Sequence, residues 1–182
     1  MRRTGSTTIQ TPLGPAVAEA SDAGLTSLRF DEDARGGTYH EPRDRRDGES
    51  EGCRSVLDAV AGQLAGYFAG ERTGFTVPLA PEGTAFERAV WDRLLRIPYG
   101  MTTSYASIAR DLGKPGAARA VGRANGRNPV WLVIPCHRVV AANGSLCGYA
   151  GGVDRKRWLI DHETTGRCGR EKGWSLLQHT PG

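Results

Sequence analysis

Cys136 and His137 stand side by side in Pro135-Cys136-His137-Arg138, with Trp131-Leu132-Val133-Ile134 before them and Val139-Val140 after. A thiol among apolar residues is held in a dry setting, where burial alone raises its pKa and leaves it inert. A neighbouring base or positive charge reverses that by supporting the thiolate, the nucleophilic form. His137 is the candidate base. Spacing alone leaves two readings open, a catalytic thiol or a plain core cysteine. In Cys-His hydrolases the two residues usually lie far apart in sequence. On an extended strand, adjacent side chains point to opposite faces. The dipeptide therefore needs a bend, a helix start or a bridging water before the pair can cooperate.

A chain of 182 residues is long enough to bury a real core, as one large domain or two small ones. No apolar run approaches a membrane span, and the basic start Met1-Arg2-Arg3 is not followed by the apolar stretch of a signal peptide. The four cysteines, Cys53, Cys136, Cys147 and Cys168, show no CxxC spacing or Cys/His clustering. That argues against structural zinc and against a disulfide framework. A reactive thiol needs a reducing compartment, so the expectation is a soluble, cytoplasmic protein without metal or cofactor. Net charge is +4, but unevenly placed: 15 Lys/Arg stand against 7 Asp/Glu from Thr84 onward, and 9 against 13 before it. Such asymmetry fits a C-terminal half that meets a polyanion, or a merely solvated basic face.

These residues need a scaffold. Ala16-Val17-Ala18 and Leu25 to Phe30 read as strands around the turn-rich Ser21-Asp22-Ala23-Gly24. Residues 31–52 are almost wholly charged or small and read as an exposed loop. Val56, Leu57, Val60, Ala61, Leu64 and Phe68 recur at helical spacing. Thr76-Val77-Pro78-Leu79 reads as a short strand before a linker at 80–83, the expected domain boundary. Beyond it, Thr84 with Glu87 suggests a capping box, and Phe86, Val90, Trp91, Leu94 and Leu95 form an apolar face. Thr103 is a candidate cap for a helix over 104–112. Gly113-Lys114-Pro115-Gly116 then links it to a helix over 117–124, a helix-turn-helix pattern. The last helix, 154–163, is expected to be capped by Asp154. Its Arg155-Lys156-Arg157 is unfavourable at a positive helix end, so either a partner anion or solvent must face it.

The motifs form an ordered series. Ile97-Pro98-Tyr99-Gly100, Thr103-Ser104-Tyr105-Ala106, Ala117-Ala118-Arg119-Ala120-Val121-Gly122 and Asn128-Pro129 precede Ile134-Pro135-Cys136-His137-Arg138-Val139-Val140. Gly148-Tyr149-Ala150-Gly151-Gly152, Trp158-Leu159 and Glu163 complete it. In order and spacing the series resembles the O6-alkylguanine-DNA alkyltransferases, from about Gln63 to Glu163. The resemblance implies an α+β chain: an N-terminal ribonuclease-H-like α/β domain over 1–83, a strand meander with a helix. A helical helix-turn-helix, winged-helix-like domain over 84–163 would follow, with an extension over 164–182. It implies direct-reversal repair by a monomer acting on double-stranded DNA that carries O6-alkylguanine, with O4-alkylthymine as a second candidate substrate. A flipped base would pass its alkyl group once and irreversibly to Cys136. Glu163 would orient His137, which would deprotonate Cys136 through a water, the nucleophile-base-orienter logic of a triad.

The remaining roles come from the same resemblance. Tyr105 would stabilise the charge that develops on the base. Asn128 would be the hinge supporting the Cys136 strand. Arg119 would fill the gap left by the flipped nucleotide, and Ser104, Tyr105, Lys114 and Ala118 would face DNA with it. Pro135, Val139, Tyr149, Ala150 and Gly151 would line the substrate pocket. Ala150 stands where some relatives carry a serine, which leaves tolerance of bulky adducts open. Cys147 is either a second modifiable thiol or packing. Two other readings are a non-catalytic DNA-binding relative, which Cys136 itself disfavours, and a cysteine hydrolase.

Overall fold

The computed structural model describes residues 4–31, 50–146 and 148–165. Most of the expected 31–52 loop, Cys147, Cys168 and the extension beyond Thr165 lie outside the described residues. The chain divides into two compact units between Ala85 and Phe86, and residues 128–134 belong to the first.

In the first unit, β1 (Thr4–Ile9), β2 (Ala16–Ser21) and β3 (Gly24–Phe30) form an antiparallel meander in that order. Ala16, Ala18 and Ala20 alternate inward along β2 while Val17 and Glu19 do not, the period-2 pattern of a sheet with one buried face. Their small side chains let α1 (Glu51–Phe68) lie close against β2. The helix buries Cys53, Val56, Leu57, Val60, Leu64 and Tyr67. It begins earlier than the loop reading allowed. Ser50 caps it by accepting the Cys53 N–H at 3.1 Å, so residues 51 and 52 are helical. The strand expected over 76–79 is a single parallel bridge, Leu25 to Leu79, fixed by Leu25 N–H to Pro78 O and Ala80 N–H to Leu25 O. Gly24 (φ +138°) is required there, because a Cβ would lie 2.5 Å from the Pro78 oxygen.

The boundary expected at Gly83 does not keep the first unit's residues contiguous, because 128–134 joins it. Leu28 donates its N–H to Pro129 O at 2.9 Å and accepts from Trp131 N–H at 2.8 Å. The segment thereby satisfies the open edge of β3, whose polar groups need partners.

The second unit holds α2 (Ala85–Leu94, all but its first residue), α3 (Tyr105–Asp111), α4 (Ala118–Gly126) and α5 (Val153–Thr165). Two-residue strands β4 (Thr103–Ser104) and β5 (Val139–Val140) pair in parallel. The α3–α4 pair, turned at Gly113 (φ +68°), is the expected helix-turn-helix. Ser104, not Thr103, caps α3, accepting from Ser107 N–H, while Thr103 is held in β4. Asp154 lies in the first turn of α5 rather than at its cap, and the helix runs on to Thr165. The Arg155-Lys156-Arg157 cluster departs furthest from expectation. Arg155 and Lys156 are buried, and only Arg157 of the three is exposed. Partner groups inside the fold, not an external anion, satisfy the first two.

Candidate functional site

The segment before Cys136 is a clamped turn. Asn128 Nδ2 donates to Ile134 O at 2.8 Å, and Asn128 Oδ1 accepts from Val130 N–H at 2.9 Å. The Trp131 indole N–H donates to Asn128 O at 3.0 Å, and Ile134 N–H reaches Val130 O at 3.0 Å. Within this turn Leu132 adopts φ +69°, a left-handed conformation that costs a side-chain-bearing residue about 1–2 kcal/mol. Four local hydrogen bonds hold it there. Asn128 therefore braces a turn, not the strand expected to carry Cys136.

Cys136–Arg138 forms a single 3₁₀ turn closed by Arg138 N–H to Pro135 O at 3.0 Å. With about three residues per turn, successive side chains point roughly a third of a circle apart instead of to opposite faces. That is the bend an adjacent Cys-His pair requires. Cys136, His137 and Arg138 are all buried. Asn125 Nδ2 lies 3.4 Å from Cys136 O, so the end of α4 touches the Cys136 carbonyl.

Glu163, on α5, is the hub of the polar network. Its Oε1 accepts from His137 Nε2 at 2.9 Å and from Arg138 Nη2 at 2.9 Å. Its Oε2 accepts from Arg138 Nε at 2.8 Å and from Gly100 N–H at 3.1 Å. Arg138 Nη1 donates to Ile97 O at 2.7 Å. The Ile97-Pro98-Tyr99-Gly100 motif thus closes over the Arg138–Glu163 pair. Gly100 (φ +73°) is needed there, since a Cβ would lie 3.0 Å from Glu163 O. Burial opposes the charge of Glu163, but hydrogen bonds from His137 and Arg138, with the Arg138 charge, hold its pKa far below the ordinary carboxylate range. Burial is also the largest influence on His137 and lowers its pKa; the Glu163 hydrogen bond and charge oppose this, while Arg138 and Lys156 reinforce it.

These facts fix the histidine tautomer. An ionised carboxylate accepts and cannot donate, so Nε2 of the neutral ring carries the proton. Nδ1 is left with its lone pair, is buried, and has no hydrogen-bond partner among the described residues. A neutral imidazole whose Nδ1 keeps its lone pair is a base, and the adjacent residue in the chain is a thiol.

Other expected pocket residues are placed as follows. Pro135 and Val139 are buried, and Val139 O accepts from the fully buried Lys156 Nζ at 2.6 Å. Tyr149 is buried; burial first, and then the charge of Cys136, raise its pKa well above the ordinary phenol value, so it stays protonated. Ala150 is exposed, and Gly151 O accepts from Arg155 Nη1 at 3.2 Å. On the helix-turn-helix, Ser104 serves as the α3 cap, and Tyr105 opens α3 half-buried beside Gly122 of α4. Arg119 is exposed in the first turn of α4, Ala118 beside it is half-buried, and Lys114 is exposed in the turn. The sequence reading did not single out Arg138, Lys156, Gly100 or Asn125. Arg138 was in plain view within Pro-Cys-His-Arg, whereas Lys156 looked like one of a surface cluster.

The chain is similar to proteins of one family over most of its length. Residues 85–165 match the 6-O-methylguanine DNA methyltransferase DNA-binding domain, and residues 6–81 match that family's ribonuclease-like domain. A methylated-DNA–protein-cysteine methyltransferase of Mycobacterium bovis is 46% identical over 156 residues, covering 86% of this chain and 90% of its own. A protein of the same name from Methanosarcina acetivorans is 43% identical over 159 residues, covering 87% and 96%. The crystal structure of Mycobacterium tuberculosis OGT in complex with DNA superimposes with a TM-score of 0.74 at 42% identity, covering 88% of this chain and 93% of that one. A buried thiol beside an oriented histidine, a helix-turn-helix and two matched domains converge on one assignment: the chain belongs to the 6-O-methylguanine DNA methyltransferase family.

Proposed function

We propose that the chain is a direct-reversal DNA repair protein, a single-turnover methylated-DNA–protein-cysteine methyltransferase that moves an alkyl group from guanine O6 in duplex DNA to Cys136. The observation that carries this reading is the buried hydrogen bond between His137 Nε2 and Glu163, which leaves Nδ1 of the residue next to Cys136 to accept a proton. His137 Nδ1 takes the thiol proton, directly or through one water. Sγ attacks the alkyl carbon, the carbon–O6 bond breaks, and its electron pair passes to the guanine ring. Tyr105 donates toward the base as that charge develops. Protonation of the base restores guanine. The product is a thioether, a poor leaving group, so each molecule reacts once.

Base O6 within a duplex is out of reach of a buried thiol, so the nucleotide must leave the stack. Arg119, exposed at the start of α4, is the side chain that fills the gap; Lys114, Ser104 and Ala118 lie on the same helix-turn-helix. Pro135, Val139, Tyr149, Ala150 and Gly151 surround the extruded base, and Asn128 sets the position of the turn before Cys136. No helix of the described residues is long and apolar enough to cross a membrane. The need for a reduced thiol supports a cytoplasmic setting, a reducing compartment. The test is intact mass after incubation with duplex O6-methylguanine. One methyl group replacing one hydrogen, mapped to Cys136, supports the reading; tight binding without mass gain would sink it and point to a non-catalytic damage binder.

A further inference from the structure

Arg138 commits each nitrogen of its guanidinium. Two donors grip both oxygens of Glu163, a third reaches Ile97 O, and the guanidinium carbon lies 5.8 Å from the centre of the Tyr99 ring. A planar fork laid on a carboxylate in this way is a fixed geometry that lysine cannot reproduce. Each oxygen of Glu163 is shared: Oε1 between His137 and Arg138, Oε2 between Arg138 and the Gly100 N–H. The charged groups facing His137 are Glu163 and Lys156 from α5 and Arg138 from its own turn, with the Cys136 thiol alongside.

We propose that Arg138 is a positioning residue of the transfer reaction: its grip on Glu163 both aims the carboxylate at His137 and neutralises it, so that Glu163 orients the ring without holding a proton on it. A lone buried carboxylate against an imidazole stabilises the imidazolium, which has no lone pair for a thiol proton. With its charge matched by Arg138, Glu163 still dictates which nitrogen carries the hydrogen, yet Nδ1 remains bare. The burial-driven lowering of the His137 pKa, to which Arg138 adds, runs in the same direction. The step served is balanced: the thiol proton goes to Nδ1, the sulfur–carbon bond forms, and the carbon–O6 pair goes to guanine.

This inference rests on the alkyl-transfer reading, and the test separates the two. Methyl transfer from duplex O6-methylguanine is followed by intact mass across about pH 5 to 9 for the wild type, Arg138→Met and Arg138→Lys. Removing Arg138 raises the proton affinity of His137, so the acid limb of the Arg138→Met profile should move up by about one pH unit. Its deficit relative to wild type should accordingly grow by about tenfold from the alkaline to the acid side. Arg138→Lys keeps the charge but not the fork, and its limb should move less. An equal fold-loss at every pH in both variants overturns the proposal and leaves Arg138 a purely structural residue. A wild type that gains no methyl group refutes the alkyl-transfer reading instead. Should either variant fail to fold, nitrogen-15 NMR of His137 in the wild type decides. A neutral ring protonated on Nε2 at about pH 6 supports the proposal; an imidazole titrating at or above the ordinary histidine value overturns it.

Discussion

Replacing Glu163 by glutamine keeps its shape and removes its charge, and the structure says which property matters. Glu163 accepts four hydrogen bonds, from His137 Nε2, Arg138 Nε and Nη2, and Gly100 N–H. A glutamine offers one oxygen and one NH₂, so one side of the carboxamide must present donors to donors. If the oxygen stays on Arg138 and Gly100, the NH₂ faces His137 Nε2 and forces the ring to accept there. The proton then moves to Nδ1, and the lone pair needed by Cys136 is gone. General-base help contributes about 10²–10⁴-fold, and transfer in Glu163→Gln should fall by a factor in that range. If instead the NH₂ turns toward Arg138 Nε and Gly100, the tautomer survives. In either orientation the buried Arg138 cation loses its counter-charge, and breaking a buried pair on one side costs about 3–5 kcal/mol of stability. Single-turnover transfer to Cys136, read by intact mass beside a urea unfolding curve, distinguishes the two. A variant within about threefold of wild type in rate, at unchanged stability, would refute the argument that Glu163 acts through the histidine tautomer.

Two further outcomes concern DNA. Extrusion of a nucleotide costs a few kcal/mol; with Arg119 filling the vacated space, Arg119→Ala should slow transfer from duplex by at least about tenfold while sparing free O6-benzylguanine, and equal losses on both would remove the gap-filling role. If exposed Lys114 and Arg123 each neutralise one phosphate, log affinity should fall with log salt at a slope of about −2, and a flat dependence measured by fluorescence anisotropy would mean that these cations do not meet the backbone.

The fold was legible where burial follows hydrophobic periodicity. β2 and β3, α1, and the α3–α4 pair could be placed because Ala16-Val17-Ala18 and Leu25 to Phe30 flank a turn, Val56, Leu57, Val60 and Leu64 recur at helical spacing, and Gly113 to Gly116 separates the helix pair. α5 was found but its inward face was not, because that face is polar. Arg155, Lys156, His162 and Glu163 are buried along with Leu159. Periodicity rules assign such residues to solvent, since charges are almost never buried unless paired. The pairing depends on residues far away in sequence, as with Lys156 Nζ on Val139 O and Glu163 on Gly100 N–H. The same holds for 128–134, whose place in the first unit is set by the open edge of β3 rather than by its own pattern. The sequence marks Cys136, His137 and Glu163 as candidates but not Arg138. An arginine after a histidine in a basic half has no local mark of burial.

The buried Arg138–Glu163 pair poses its own energetic question, because replacing such a pair by apolar residues is often neutral or stabilising. Arg138→Met alone strands the Glu163 charge and orphans Ile97 O; Glu163→Leu alone strands the Arg138 charge and orphans Gly100 N–H and His137 Nε2. The double variant leaves the three orphaned dipoles but no unmatched charge. Orphaned groups cost about 1–3 kcal/mol each in either background, so they cancel from a double-mutant cycle. What remains is the pair, and the double variant should cost less than the summed singles by about 3 kcal/mol or more. Urea unfolding of the four proteins measures it, and additivity within about 0.5 kcal/mol would mean that the pair is solvated or open in solution. Transfer to Cys136 should not follow stability. Even a double variant as stable as wild type loses the acceptor that fixes the proton on His137 Nε2, and its methylation rate should stay with that of Glu163→Leu. A double variant that recovered both would assign the pair to packing; one that recovers stability alone shows that the two charges are kept inside the fold for the histidine they aim.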